Sequence, residues 1–142
     1  MSIYDRFETD KDLETSGVWI DYGADGAFLI AHTGGVSSEF IRAFRGLYKK
    51  NRARFDRDLM NENESQKLLL ETFAKTSILN WRGIKDRAGV DIPFSKENAI
   101  KLISDLPNLG FMLFEEAKNY ENFLVAEREE IAKNSETSSS GV

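Results

Sequence analysis

Val18-Trp19-Ile20-Asp21-Tyr22, Gly23-Ala24-Asp25-Gly26 and Ala27-Phe28-Leu29-Ile30-Ala31 follow one another without interruption. The outer runs are rich in aromatic and β-branched residues, which suit a pleated, half-buried surface. The Asp-Gly between them supplies the positive-φ chemistry of a tight reversal. Together they predict a β-hairpin over 17–32. This hairpin decides the fold class, because most of the chain after Gly34-Gly35 reads as helix. The expectation is α+β, mainly α.

Working outward, a long helix is predicted over 37–59, capped by Ser37 or Ser38, with Ile41, Phe44, Tyr48, Phe55 and Leu59 on one stripe. Arg42, Arg45, Lys49 and Arg52 lie together beside that stripe; Lys50, Arg54 and Arg57 cluster farther round. A second helix is predicted over 63–77, with Leu68, Leu69, Phe73 and Ala74 inward. Two extended arms, 78–84 and 90–94, flank a turn at 85–89 and read as a small central hairpin, with Pro93 restricting the second arm to an edge or end. Helices over 95–105 and 109–132 follow, separated by Leu106-Pro107-Asn108. Leu109, Leu113, Ala117, Tyr120, Leu124 and Ile131 form the inward face of the last one, while Phe111, Phe114 and Phe123 add apolar bulk off it. Residues 134–142 are Ser-, Thr- and Gly-rich and are expected to be a disordered tail. The organisation predicted is one domain over 1–133, two hairpins packed on a bundle of about four helices.

The 142 residues suffice for one core without a metal or disulfide. The absence of cysteine removes thiolate nucleophiles, thiolate metal sites and disulfides together. The opening residues carry neither a basic n-region nor an apolar h-region, so no secretory leader is expected. The longest purely apolar run, 27–31, is far short of the roughly 20 residues that span a bilayer, so no membrane association is expected. The net charge of −5 is unevenly placed: residues 42–57 hold seven basic residues against Asp56, leaving −11 for the remainder. That asymmetry favours a charge-selective partner or self-association.

Catalytic chemistry is not expected. His32 is the only histidine, which leaves no metal-ligand constellation and no Ser–His–acid arrangement with a nucleophile elbow. Gly34-Gly35 lacks the pattern of a phosphate-cradling loop. The loop starting at Asp21 has the wrong residues for a calcium site. Adjacent carboxylates such as Glu115-Glu116 point about 100° apart on a helix and do not converge. No catalytic residue, cofactor or metal is assigned.

The most distinctive stretch runs Trp81-Arg82-Gly83-Ile84-Lys85-Asp86-Arg87-Ala88-Gly89-Val90-Asp91-Ile92-Pro93-Phe94-Ser95-Lys96-Glu97-Asn98. It resembles the pattern of tail assembly chaperones from long-tailed (siphovirus-type) bacteriophages: tryptophan, glycine-aliphatic, an acid, a turn glycine, then aliphatic-Pro-Phe-Ser-x-Glu-Asn. The order of elements over roughly 17–125 is similar too. The resemblance implies a non-catalytic late protein of the host cell cytoplasm that binds the tape measure protein and helps recruit major tail (tube) protein subunits. It also implies absence from the mature virion. Trp81, Gly83, Asp86, Gly89, Pro93, Phe94 and Ser95 read as structural parts of that motif. Candidate partner-binding residues are Arg42, Arg45, Lys49 and Arg52, alternatively a solvated face, and Phe111, Phe114 and Phe123, alternatively core. A homo-oligomer is expected. Nucleic acid is disfavoured as a partner by the −11 outside the basic segment, and a structural virion component is the alternative function.

Overall fold

The computed structural model describes residues 2–35, 38–56 and 61–125, together with the backbone but not the side chains of residues 55 and 56. Its elements run α1 (Ile3–Phe7), α2 (Lys11–Ser16), β1 (Val18–Asp21), β2 (Ala27–Ile30), α3 (Glu39–Lys50), α4 (Arg52–Asp56), α5 (Glu62–Ser77), β3 (Ile78–Arg82), α6 (Lys96–Asp105) and α7 (Pro107–Lys118). The fold is α+β and mainly helical, with a small antiparallel sheet.

The first hairpin forms as its residue types dictate. Val18 pairs with Ile30 and Asp21 with Ala27, and the connection closes through a 3-10 turn, Gly23–Asp25. Gly26 adopts φ 103°, and a Cβ there would sit 2.5 Å from Ile84 Cδ1 and 2.8 Å from the Arg82 carbonyl oxygen. Only glycine tolerates both the dihedral and that approach.

The central segment departs from the sequence expectation. Its first arm is β3, which joins the N-terminal hairpin as a third antiparallel strand in the order β1-β2-β3, with Phe28 opposite Trp81 and a register shift between Leu29 and Ile30. Its second arm makes a single bridge, Lys85 to Asp91, and no strand. Two backbone bonds link the arms, from the Asp86 amide to the Val90 carbonyl and from the Ile92 amide to the Ile84 carbonyl (both 2.8 Å). Side chains occupy other amides and carbonyls that a longer ladder would need. The Asp86 carboxylate accepts from the amides of Ala88 (2.8 Å) and Val90 (3.0 Å), and Trp81 Nε1 donates to the Ile92 carbonyl (2.8 Å).

Helix α5 is the hub, packing against α3, α6, α7 and β3. Asn61 caps it by accepting from the Glu64 amide at 2.8 Å. It runs into β3 without a loop, and the Lys96 ammonium donates to the Ile78 carbonyl at that junction (2.8 Å). Phe28, Phe73, Ile30, Ile78, Ile103 and Leu113 are fully buried around it.

Two long predicted helices are each interrupted by an asparagine. The span 37–59 begins at the Ser38 cap and breaks at Asn51, whose side-chain amide donates to the Leu47 carbonyl (2.9 Å). Residues 37 and 57–59 of that span lie outside the described residues. The last helix starts earlier than expected, with Pro107 in its first turn, where a missing N–H costs nothing. It ends at Asn119, whose side chain accepts from the Glu121 amide (3.1 Å) and opens a 3-10 turn, Tyr120–Phe123. Residues 126–132 of that prediction, Ile131 included, and the tail 134–142 also lie outside the described residues. Asparagine bonds local backbone groups and competes with helix continuation.

Helices α1 and α2 stand where the sequence reading saw only polar chain. The Ser2 hydroxyl accepts from the Asp5 amide while the Asp5 carboxylate accepts from the Ser2 amide, a capping box, and Asp10 caps α2. The segment closes over the end of α7: the Asp10 amide donates to the Phe123 carbonyl (2.7 Å), and the Val125 amide to the Glu8 carbonyl (3.0 Å).

Candidate interaction surfaces

The structure sorts the candidate residues by exposure. Arg42, Arg45 and Lys49 lie exposed on α3 at three- and four-residue spacing, with Tyr48 exposed beside them. The adjoining face of α3 carries Phe40, Ile41 and Phe44 into the core. Arg52 is exposed too, but it opens α4 beyond the Asn51 break and does not continue the same helical stripe. Arg54 pairs with Glu64 at 2.6 Å, an exposed ion pair contributing well under about 1 kcal/mol.

The three phenylalanines separate. Phe123 is fully buried, its ring 4.6 Å from that of His32, so it is core rather than a docking group. The 3-10 turn after Asn119 carries it inward. Phe111 and Phe114 are half-buried against the core, Phe114 meeting the rings of Phe40 (5.4 Å) and Phe73 (5.5 Å). The His32 ring donates from Nδ1 to the Ala117 carbonyl at 2.8 Å, so the lone histidine joins β2's exit to α7.

The residues of the distinctive motif converge on one corner. Trp81 is buried, edge-on to both Phe28 (6.0 Å) and Phe94 (5.2 Å). Gly83 and Gly89 adopt φ of 69° and 82°. The Pro93 carbonyl accepts from the Asn98 side-chain amide, and the Ser95 hydroxyl caps α6 through the Asn98 backbone amide, both at 2.9 Å. Every one of these contacts is internal packing or capping. Burial lowers the Lys96 amine's pKa beneath its usual range, against a weaker upward pull from Glu39. Burial raises that of the Tyr22 phenol, with a smaller push from Glu116.

Two apolar surfaces were not singled out from the sequence. Leu102, Leu106, Leu109 and Met112 follow one another at four-, three- and three-residue spacing across the α6–α7 corner. With Tyr22 and Phe28 they line a groove of about 340 Å³. These residues belong to two helices that meet at non-helical Leu106, so no single helical period links them and only the corner brings them together. At the other end of the chain, Ile3, Tyr4 and Phe7 stand exposed on α1. Among the described residues no three His, Asp or Glu side chains are grouped to hold a metal, and no helix is long and apolar enough to cross a membrane.

No curated protein and no solved structure matches the chain. A family model does: that of the YdaY prophage protein, over residues 36–134, which runs from the cap of α3 through α7 and the core turn after it. With more than half of its length matched, the chain belongs to the YdaY prophage protein family and is of phage origin.

Proposed function

We propose that the protein is a non-catalytic tail assembly chaperone, acting in the host cytoplasm, that binds a tape measure protein and helps bring tail tube subunits to it. The observation that carries this reading is the segment 81–98, whose residue order resembles the chaperone motif of long-tailed phages. The prophage family supports the phage setting, and tail assembly is the finer step added here. The surface offered to the tape measure protein is the exposed flank of α3 with Arg42, Arg45, Lys49 and Tyr48, extended by Arg52. Long side chains on one helix face combine apolar stems with charged heads. Such a face suits an amphipathic helix with carboxylates along its edge. Phe111 and Phe114, already half spent on the core, contribute at the margin, and Phe123 contributes nothing directly.

Co-expression with the tape measure protein of the same phage genome tests this. The expected result is a co-purifying complex and a larger soluble fraction of tape measure protein. A double charge reversal, Arg45→Glu with Lys49→Glu, should lose the complex while leaving the circular dichroism spectrum unchanged. If no complex forms and mass spectrometry finds the chain at stoichiometric level in purified particles, the protein is a structural virion component instead.

A further inference from the structure

The three-stranded sheet has two edges, and the fold treats them differently. On β3 the outward amide of Trp81 donates to the side chain of Asn80 (2.9 Å), and the Ile78 carbonyl accepts from the Lys96 ammonium (2.8 Å). Side chains that occupy edge backbone groups in this way close a sheet to further strands. On β1 the Tyr22 amide donates to the Gly26 carbonyl, so Val18, Ile20 and Tyr22 direct their backbone groups to β2. The amides and carbonyls of Trp19 and Asp21 therefore point away from the sheet. Among the described residues nothing bonds to these four groups, and both residues are exposed.

The open edge is complementary to itself. Gly17 and Gly23, at φ of 89° and 66°, end the strand on either side, so Ile20 is the middle of the stretch that can pair. In an antiparallel pair about a two-fold axis at Ile20, Trp19 of each copy faces Asp21 of the other. Each Trp19 amide then donates to the other copy's Asp21 carbonyl, and each Asp21 amide to the other copy's Trp19 carbonyl. Ile20, half-buried at the margin of the core, meets its twin across the axis, where Cα atoms stand about 4.5 Å apart. The side chains agree with that register. Arg82 reaches across β2 to lie over the Trp19 ring, its Cζ 4.5 Å from the centroid, and among the described residues it has no acidic partner. Pairing sets the other copy's Asp21 carboxylate beside that ring, on the face of the sheet where the guanidinium lies. Opposite charges on facing strands stabilise a pair, and two Asp21 with two Arg82 leave the joint neutral.

We infer that two copies of this chain join β1 to β1, antiparallel about a two-fold axis at Ile20, and extend the sheet from three strands to six. The same patch serves on both copies, so the contact is isologous and closes at a dimer. Only one short strand of each copy takes part, well below the about 1,200 Å² of a standard interface, so the dimer is weak and concentration-dependent. The inference is independent of the tape measure reading, since it uses neither α3 nor a second protein.

Sedimentation of the full chain over a concentration series tests it. The wild type should pass from monomer to dimer between about 10 and about 1,000 μM. The register is tested by cross-linking, because the chain has no cysteine of its own. Ile20→Cys sets two thiols across the axis at a Cα separation a disulfide accepts, and mild oxidation should couple them about tenfold faster than Met112→Cys, an exposed position far from β1. Asp21→Lys and Arg82→Glu should each weaken the dimer about threefold or more, and the two together should restore it. Thermal melting checks that each variant is folded, and a loss of fold would not be repaired by the exchange. The Arg45→Glu/Lys49→Glu protein should dimerise like the wild type. A wild type monomeric at about 1,000 μM, Ile20→Cys coupling no faster than Met112→Cys, a double exchange no better than the single changes, or a dimer lost on reversing α3 would each overturn the inference. So would a monomer whose Trp19 and Asp21 amides are protected from hydrogen exchange only after tape measure protein is added, since the edge would then take that protein's strand.

Discussion

Tyr22 closes the first hairpin beside Gly26, to whose carbonyl its amide donates (2.8 Å), and its ring lies edge-on to Phe28 at 6.2 Å. Its phenol is held above the ordinary pKa of 10.0, first by burial and then by the carboxylate of Glu116. A group whose folded-state pKa is raised contributes stability that is fully present below the unfolded value and lost as pH climbs through the folded one. Lys96 acts with the opposite sign in an overlapping alkaline range, because its folded pKa is lowered and the unfolded chain binds more protons there. Tyr22→Phe isolates the first effect, since Lys96 is common to both proteins. Urea unfolding from about pH 8 to about pH 11 should give a constant difference between the two up to the ordinary tyrosine range. Above it the wild type should lose ground to the variant. A difference that stays flat to the top of the range would show that the fold exerts no hold on the phenol's proton.

At the scale of elements, Gly110 shows how packing overrides propensity. Alanine in a helix interior normally gains about 0.5–1 kcal/mol over glycine. A Cβ on Gly110, however, would lie 2.8 Å from Ile103 Cγ2 and 3.0 Å from Leu70 Cδ2, where α7 crosses α5 and α6. Ile103 is fully buried and stiff at its first torsion, so its methyl cannot swing away. Gly110→Ala should therefore destabilise by about 1–3 kcal/mol in chemical denaturation, the range of overpacked cores; a stabilised variant would mean that the crossing is looser than described. No local pattern in Leu109-Gly110-Phe111 announces this role, because it is set by two other helices. The same division runs through the whole fold. The first hairpin, the Ser95 cap and the extent of α5 and α6 were legible, since turn chemistry and caps are written in neighbouring residues. The pairing of Ile78–Arg82 with β2 was not, because a strand's partner is a tertiary fact. The asparagine stops at Asn51 and Asn119 were visible as residue types but lost to the longer apolar periodicity. Helices α1 and α2 were missed although Ser2 with Asp5, and Asp10, are legible capping signals. At the candidate sites, spacing alone grouped Arg42, Arg45 and Lys49. It could not tell buried Phe123 from half-buried Phe114, because that depends on where Asn119 turns the chain.

Over the whole molecule, the charge distribution separates a protein partner from a nucleic acid. Residues 42–57 carry +6 and the rest −11. A basic helix by itself attracts phosphates, with affinity falling steeply as salt displaces the counterion advantage. Here the acids of α2, Asp12 and Glu14 among them, and the α7 end with Glu115 and Glu121 belong to the same small body as α3. Glu14 and Glu39 line one cavity with Arg42, so part of that acidity stands beside the basic face, within the Debye length of about 10 Å at 0.1 M salt. A long polyanion lying across the molecule would meet them. No base-reading motif offsets that repulsion. Duplex DNA should therefore not be retained in a mobility-shift assay at about 100 mM salt. At very low salt any retention should be weak and insensitive to sequence. Arg45→Glu/Lys49→Glu should abolish even that residue of binding, while Met112→Glu leaves it untouched. Tight retention at about 100 mM salt would instead make the α3 face a phosphate-binding surface and displace the chaperone reading.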